Sequence, residues 1–278
     1  MSRVLLCVDL SYQVYRAAAS HPMLSSVTGV FTGGLYGFLA SFSKAVRETG
    51  ATDVVVCRDS KPYLRSRDYP DYKQVRKKDQ DPDLLRMYKE TEPLVLDALD
   101  LTGVPTWMCK GFESDDLIGH AVRRHRGRFQ RVYAASNDSD LYQLLGAPQF
   151  SVYKDDIRTC VNEANLKLDK LQCTPEEHML ASALTGTHND IEGIKGVGPV
   201  NALKAVRDPA LMRKHRGTHA AIIDRNLALI RLPHAELPNL ALPQRTRRFS
   251  SRDLYRWAAR FDIDVTLSMV NAFEQIDT

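Results

Sequence analysis

Short apolar runs alternate with amphipathic stretches over the first half of the chain. Residues 3–8, 53–57, 104–108, 131–135 and 150–154 are such runs, each brief enough for a strand and too short for a core helix. Between them, residues 33–48 place Leu35, Phe38, Leu39 and Phe42 on one stripe at helical spacing. Leu94, Leu96, Leu99 and Leu101 mark another helix, which Pro93 can start or kink. A third begins at Ser114 and Asp115 and runs through Leu117, Ile118 and Val122, and a fourth covers 139–145. Strands alternating with helices predict an α/β core with a mainly parallel, twisted sheet flanked by helices.

Two stretches break this rhythm. Residues 60–92 are polar and basic, interrupted by Pro62, Pro70 and Pro82, and too long for an idle connection. From about 174 the strand signals stop. Thr174-Pro-Glu-Glu177 is a capping-box helix start, the helix 175–185 ends at Gly186, and a glycine-rich turn at 193–198 leads into another helix near Val200. The expected division is a core over 1–172, which includes the segment 60–92, and a helical region over 173–278.

Each apolar run ends in acid: Asp9, Asp59, the group Glu113, Asp115 and Asp116, the pair Asp138 and Asp140, and Asp155 with Asp156. In a parallel sheet these side chains gather at the carboxyl rim, where ligands bind. An aspartate at a strand-to-helix junction is most often a helix cap. The set exceeds that need, because Glu113-Ser-Asp-Asp116 and Asp138-Ser-Asp140 supply more acids than caps require. Asp155 and Asp156 read as an ordinary turn. Crowded carboxylates stay ionised only beside cations, so a metal site is expected, and two divalent ions on oxygen ligands suit phosphodiester hydrolysis. No Cys or His zinc spacing competes.

Composition adds direction. The 278 residues are 44% hydrophobic and 26% charged, with net charge +4. The basic residues cluster at 58–78, interleaved with Tyr63, Tyr69 and Tyr72, and again at 245–260 beside Tyr255 and Trp257, a pattern that suits a nucleic acid. The second cluster could extend a duplex track. Residues 123–131 are also basic but read as a helix end. Glycines 193, 196 and 198 let a backbone approach a phosphate, and Lys195 sits among them. Five scattered cysteines, no apolar run near membrane length and no signal peptide lead to an expected cytoplasmic protein without membrane contact.

Residues 9–17, Asp-Leu-Ser-Tyr-Gln-Val-Tyr-Arg-Ala, resemble the opening D-G-S-x-x-x-Y-R-A of the 5′-nuclease (flap endonuclease) family. That family includes the N-terminal nuclease domain of bacterial DNA polymerase I and stand-alone bacteriophage 5′→3′ exonucleases. Thr32-Gly-Gly-Leu-Tyr-Gly37, Arg65 with 69–76, Gly111–Asp116, 137–145 and 184–198 resemble further family motifs in family order. The resemblance implies a PIN-like core, a helical arch, and a helix-hairpin-helix near 175–206 that binds duplex DNA and K⁺. It implies Mg²⁺-dependent hydrolysis, with Mn²⁺ able to substitute, acting on DNA with 5′ ends, flaps or nicks as a monomer. It assigns Asp9, Asp59, Glu113, Asp115, Asp116, Asp138, Asp140 and Asp190 to the metal site, and Lys73 and Arg76 to charge stabilisation at the scissile phosphate. Arg16, Tyr72, Gly193, Lys195, Gly196 and Gly198 fall on DNA-binding positions.

One departure matters. The final acidic segment is one residue shorter than the family's, and Thr187 stands at the first aspartate position. Asp190 keeps the second position if the deletion falls after it. His188 is expected to be a surface-loop residue. Arg58 replaces an aromatic residue before Asp59. The leading expectation is a 5′→3′ exonuclease and structure-specific 5′-flap endonuclease. A DNA-structure-binding protein with a weakened site and a PIN-like ribonuclease stand behind it.

Overall fold

The computed structural model describes residues 3–75, 81–147, 149–154, 159–161 and 173–276. Strand β1 (Val4–Asp9) leads into α1 (Leu10–Ser20) and α2 (Gly33–Thr49). Then come β2 (Asp53–Arg58), a short α3 (Leu64–Asp68), α4 (Pro82–Thr102), β3 (Thr106–Met108) and α5 (Ser114–His120). Strand β4 (Arg131–Ala135), a 3₁₀ turn at Ser139–Leu144, β5 (Phe150–Lys154) and β6 (Thr159–Val161) complete the sheet. Its order is β3-β2-β1-β4-β5-β6, parallel except for the antiparallel edge strand β6. The expected α/β fold with a mainly parallel sheet is present.

Alternation along the central strands builds two cores. Leu6, Val8, Val54 and Val56 face the layer containing α1, α2 and α4, while Leu5, Cys7, Val55 and Cys57 face α5 and the 3₁₀ turn. Cys7, Cys57 and Cys173 are buried free thiols, and Cys109 is half-buried.

Three boundaries differ from the sequence expectation. Helix α1, which apolar periodicity does not single out, starts because the Asp9 carboxylate accepts from the Tyr12 N–H at 3.2 Å. Helix α4 begins at Pro82, well before its apolar stripe, because Asp81 caps it with bonds from Asp83 N and Leu84 N and Pro82 fits the first turn. Pro93 then lies inside α4 on the exposed side, where the carbonyl it leaves unpaired can meet water. Strand β3 is shorter than 104–108, since Pro105 has no N–H to donate, although its carbonyl still accepts from Val56 N at 3.0 Å.

Beyond the sheet, α6 (Pro175–Thr185) is followed by a tiny hairpin of β7 (Gly186–Thr187) and β8 (Ile191–Glu192), then α7 (Pro199–Arg207) and the long α8 (Pro209–Ile230). These helices share a small core of Ala181, Leu184, Ile194, Ala202, Ala205 and Ile223. The chain then returns to the sheet. Helices α9 (Ser251–Ala258) and α10 (Leu267–Gln275) contribute Leu254, Trp257, Met269 and Phe273 to the core shared with α2 and α4. The residues after α8 therefore pack with the α/β core, and the expected division at 172 falls outside the described residues. Among the described residues no helix is long and apolar enough to cross a membrane.

Phe273 locks this return. It stacks on Phe42 with ring centroids 5.3 Å apart and on Phe249 at 5.3 Å, and it is fully buried. Phe273→Ala should lower stability by about 3–5 kcal/mol, the range for truncating a buried aromatic. Urea denaturation checks this, and a loss under about 1 kcal/mol would mean that α10 is not part of the core.

Candidate metal centre

The sheet topology delivers the acids to one place. Asp9 ends β1, Asp59 follows β2, Glu113 and Asp115 lie at the start of α5 after β3, and Asp138 and Asp140 flank the turn after β4. All these strands are parallel, so all these side chains sit at the carboxyl rim. Local bonds aim them. Asp59 accepts from Ser114 N at 2.8 Å, Asp9 from the Ser136 hydroxyl at 3.3 Å, and Asp138 from Asp140 N at 2.8 Å.

Their electrostatics show the crowding. Burial, then the charges of Asp59 and Asp138, pushes the Asp9 carboxyl up to about 7. Burial and the Asp138 charge likewise push Asp140 up to about 7. Asp115 rises well above the usual carboxylate range through burial and the charges of Asp138 and Asp9, with Lys73 opposing. One Asp115 oxygen is buried with no hydrogen-bond partner among the described residues. An unpartnered buried carboxylate oxygen within a group of like charges is a cation-binding arrangement, and the all-oxygen donor set suits a hard divalent ion. The residues present fit such an ion.

Two predicted ligands are bonded to protein groups. Asp116 is completely buried and spends both oxygens on the protein: Arg65 donates to them at 2.6 and 2.7 Å, with further bonds from His234 N at 2.8 Å and Glu113 N at 3.1 Å. Burial opposes its charge, but Arg65 outweighs that and holds the carboxyl below its ordinary value. Asp190, in the left-handed region at φ 61°, accepts from Val75 N at 2.9 Å and so ties its loop to the basic segment. Asp116 is thus committed to Arg65, and one Asp190 oxygen to Val75 N.

Arg65 is the hub that sequence reasoning passed over. Only 3% exposed, it also donates to Glu113 at 3.1 Å and to the Leu229 carbonyl of α8 at 2.7 Å. Glu113 is shared again by the Tyr72 hydroxyl at 2.7 Å and by the Lys73 ammonium. Burial works against the Lys73 charge, yet Glu113 outweighs it and holds the pKa above its ordinary value. Lys73, at φ 57°, lies over the rings of Tyr63 and Tyr72, 5.3 Å from each, and its N–H reaches the Asn189 carbonyl at 3.0 Å. Sequence gave no signal for this network beyond the motif around Arg65, because it joins residues far apart in the chain. Arg76 lies outside the described residues.

The remaining predicted positions fall around this centre. Arg16 is half-buried on α1, about two turns from Asp9. Lys195 and Gly196 are exposed in the turn between β8 and α7, with Gly196 at φ 83°, and Gly198 caps α7. Gly193 is different: a Cβ there would lie 2.1 Å from the Thr185 carbonyl carbon, so packing within the hairpin requires it. His188 is exposed, as expected, but its Nε2 stands 3.9 Å from an Asp138 oxygen. Two arginines of the basic segment 245–260 lie at the opposite end of the sheet from the acidic rim: Arg245 donates to the Thr102 carbonyl at 2.7 Å and Arg247 pairs with Asp100 at 3.3 Å, both just before β3.

The model of the 5′-3′ exonuclease N-terminal resolvase-like domain matches residues 4–172. The chain belongs to the 5′-3′ exonuclease family. A 5′-3′ exonuclease of Aquifex aeolicus is 29% identical over 207 residues, covering 74% of this chain and 69% of that protein. The thermostable DNA polymerase I of Thermus thermophilus is 28% identical over 253 residues, 85% of this chain but 29% of the polymerase. In fold, the family likeness extends to a bacteriophage T5 flap endonuclease solved as a pseudo-enzyme-product complex with DNA and metal ions. It covers 98% of this chain and 100% of its own, with TM-score 0.70 at 16% identity. This exonuclease-family chain thus shares the fold of that flap endonuclease.

Arg65→Met should cost about 3–5 kcal/mol, since it leaves the Asp116 charge buried without its counter-ion. Urea denaturation reads the loss. A variant as stable as the wild type would show that the pair is incidental.

Proposed function

We propose that the chain is a divalent-cation-dependent nuclease that hydrolyses DNA phosphodiesters as a 5′→3′ exonuclease and as a structure-specific 5′-flap endonuclease. The observation that carries this is the rim of six carboxylates, Asp9, Asp59, Glu113, Asp115, Asp138 and Asp140, with an unpartnered buried oxygen on Asp115. Family membership supports the reaction class. Mg²⁺ is the proposed cation, with Mn²⁺ a substitute, because hard ions take oxygen ligands. When bound, such ions activate water and neutralise charge on the phosphate.

The chain's own residues set up that chemistry. Asp9, Asp59, Asp115, Asp138 and Asp140 would hold the cations. Glu113 orients Lys73 and Tyr72 at the mouth of the site, from which the ammonium can turn to a phosphate oxygen and stabilise its growing negative charge. Asp116 and Asp190 act at one remove, the first by fixing Arg65 and the second by fixing Val75. Arg76 would add a second cation to the same segment. Lys195 and the backbone at Gly196 and Gly198 would grip the duplex phosphates as a helix-hairpin-helix, with K⁺ at the turn. We assign the protein to a monomer working in the cytoplasm on DNA with 5′ ends, flaps or nicks.

A binding protein with a degraded site is less well supported. Thr187 removes one carboxylate, but Asp9, Asp59, Asp115, Asp138 and Asp140 remain. The test is cleavage of a labelled 5′-flap duplex with Mg²⁺. The wild type should release the flap, Asp115→Asn should not, and Lys73→Ala should slow cleavage by about 10²–10³-fold, the usual cost of removing one charge-stabilising donor. Lys73→Ala cutting at the wild-type rate, or a wild type that binds the flap and releases nothing, contradicts the proposal.

A further inference from the structure

The loop at 186–192 reaches the Asp138–Asp140 end of the rim, and its side chains are almost all committed. The Thr187 hydroxyl accepts from Asn189 N at 3.2 Å. Buried Asn189 donates its side-chain amide to an Asp140 oxygen at 3.1 Å, which fixes that carboxylate. Asp190 is turned to Val75 N. The hairpin pairs Gly186 with Glu192 and Thr187 with Ile191, so His188, Asn189 and Asp190 form its tip. With Asn189 and Asp190 each bonded to a neighbouring segment, the tip presents His188 to the acid pair. Ligand-capable atoms of Asp138, Asp140 and His188 all lie within 4.8 Å of one another. A divalent ion with bonds of about 2.1 Å separates adjacent donors by roughly 3 Å and opposite ones by roughly 4 Å, a spacing that a small turn of an exposed imidazole reaches.

We propose that His188 supplies a nitrogen ligand to the cation at the Asp138–Asp140 end of the site. At the tip Thr187 is neutral and one Asp190 oxygen is taken by Val75 N, whereas the His188 Nε2 stands 3.9 Å from an Asp138 oxygen. An imidazole is the ligand the tip can contribute, and Asn189 positions the Asp140 oxygens beside it. The donor set at this end is then mixed nitrogen and oxygen, while Asp9, Asp59 and Asp115 remain oxygen-only. A nitrogen ligand favours first-row transition ions over Mg²⁺, least for Mn²⁺ and more for the later ones, so His188 biases this end of the site away from Mg²⁺. The inference rests on the proposed reading that the rim binds cations.

The test is electron spin-echo envelope modulation of Mn²⁺ bound to the full chain. The wild type should show imidazole-nitrogen couplings. His188→Ala should lose them, and His188→Asp should keep Mn²⁺ bound without them while its preference for Mn²⁺ over Mg²⁺ falls. Bound Mn²⁺ without nitrogen coupling in the wild type overturns the inference, as does coupling that persists in His188→Ala, which would point to a neighbour such as His178. The spectrum does not depend on DNA cleavage. Failure of the nuclease reading would appear instead as an intact flap beside an unchanged Mn²⁺ signal.

Discussion

Repulsion among carboxylates at one rim of a parallel sheet is the constraint that organises this molecule. The parallel strands deliver Asp9, Asp59, Glu113, Asp115, Asp138 and Asp140 to the same end. Burial and like charges raise Asp9 and Asp140 to about 7 and lift Asp115 well above the usual carboxylate range, so cation-free protein keeps part of its site protonated near neutrality. For a carboxyl raised in this way the native state binds more protons than the unfolded chain. The stability of the fold therefore falls as pH rises from about 4 to about 7. A divalent ion bound there would reverse that loss, because it favours the ionised form. Stability and chemistry are thus coupled through the same side chains.

The neighbouring network manages charge in the opposite way. Arg65, Asp116, Glu113, Tyr72 and Lys73 satisfy one another by hydrogen bonds, with Arg65 also holding the end of α8. Such a buried pair adds little net stability over apolar packing, but removing one partner is costly, so it fixes geometry more than it strengthens the fold. Its effect is to join the basic segment, the acidic rim and the helical region at Glu113. The Asp190 contact to Val75 and the Lys73 contact to Asn189 repeat that link from the other side.

Much of this was legible in the sequence, for a physical reason. Buried parallel strands are short apolar runs, and the residue after each run is at the rim by geometry alone. Asp9, Asp59, Asp115, Asp138 and Asp140 could be placed without coordinates. Asp116 could not be told from Asp115, since one step along a helix turns a side chain by about 100° and only the packed structure shows that Arg65 waits there. Helix α1 escaped because its cap, Asp9, also read as a ligand, and the start of α4 because its first turns face solvent. The return of α9 and α10 to the sheet depends on contacts such as Phe42 with Phe273, which no local pattern encodes. His188 read as an ordinary loop residue because its approach to Asp138 depends on how Asn189 and Asp190 pin the hairpin tip.

The central claim is that cations neutralise Asp9, Asp59, Asp115, Asp138 and Asp140, while internal counter-ions hold Glu113 and Asp116. Calorimetric titration of Mg²⁺ into the cation-free protein, in two buffers of different ionisation enthalpy near pH 7, measures it directly. Carboxyls raised to about 7 must ionise as the ion binds, so protons should be released, and more of them as the starting pH is lowered toward about 6. Mg²⁺ binding with no proton release, or no binding at all, would contradict the account.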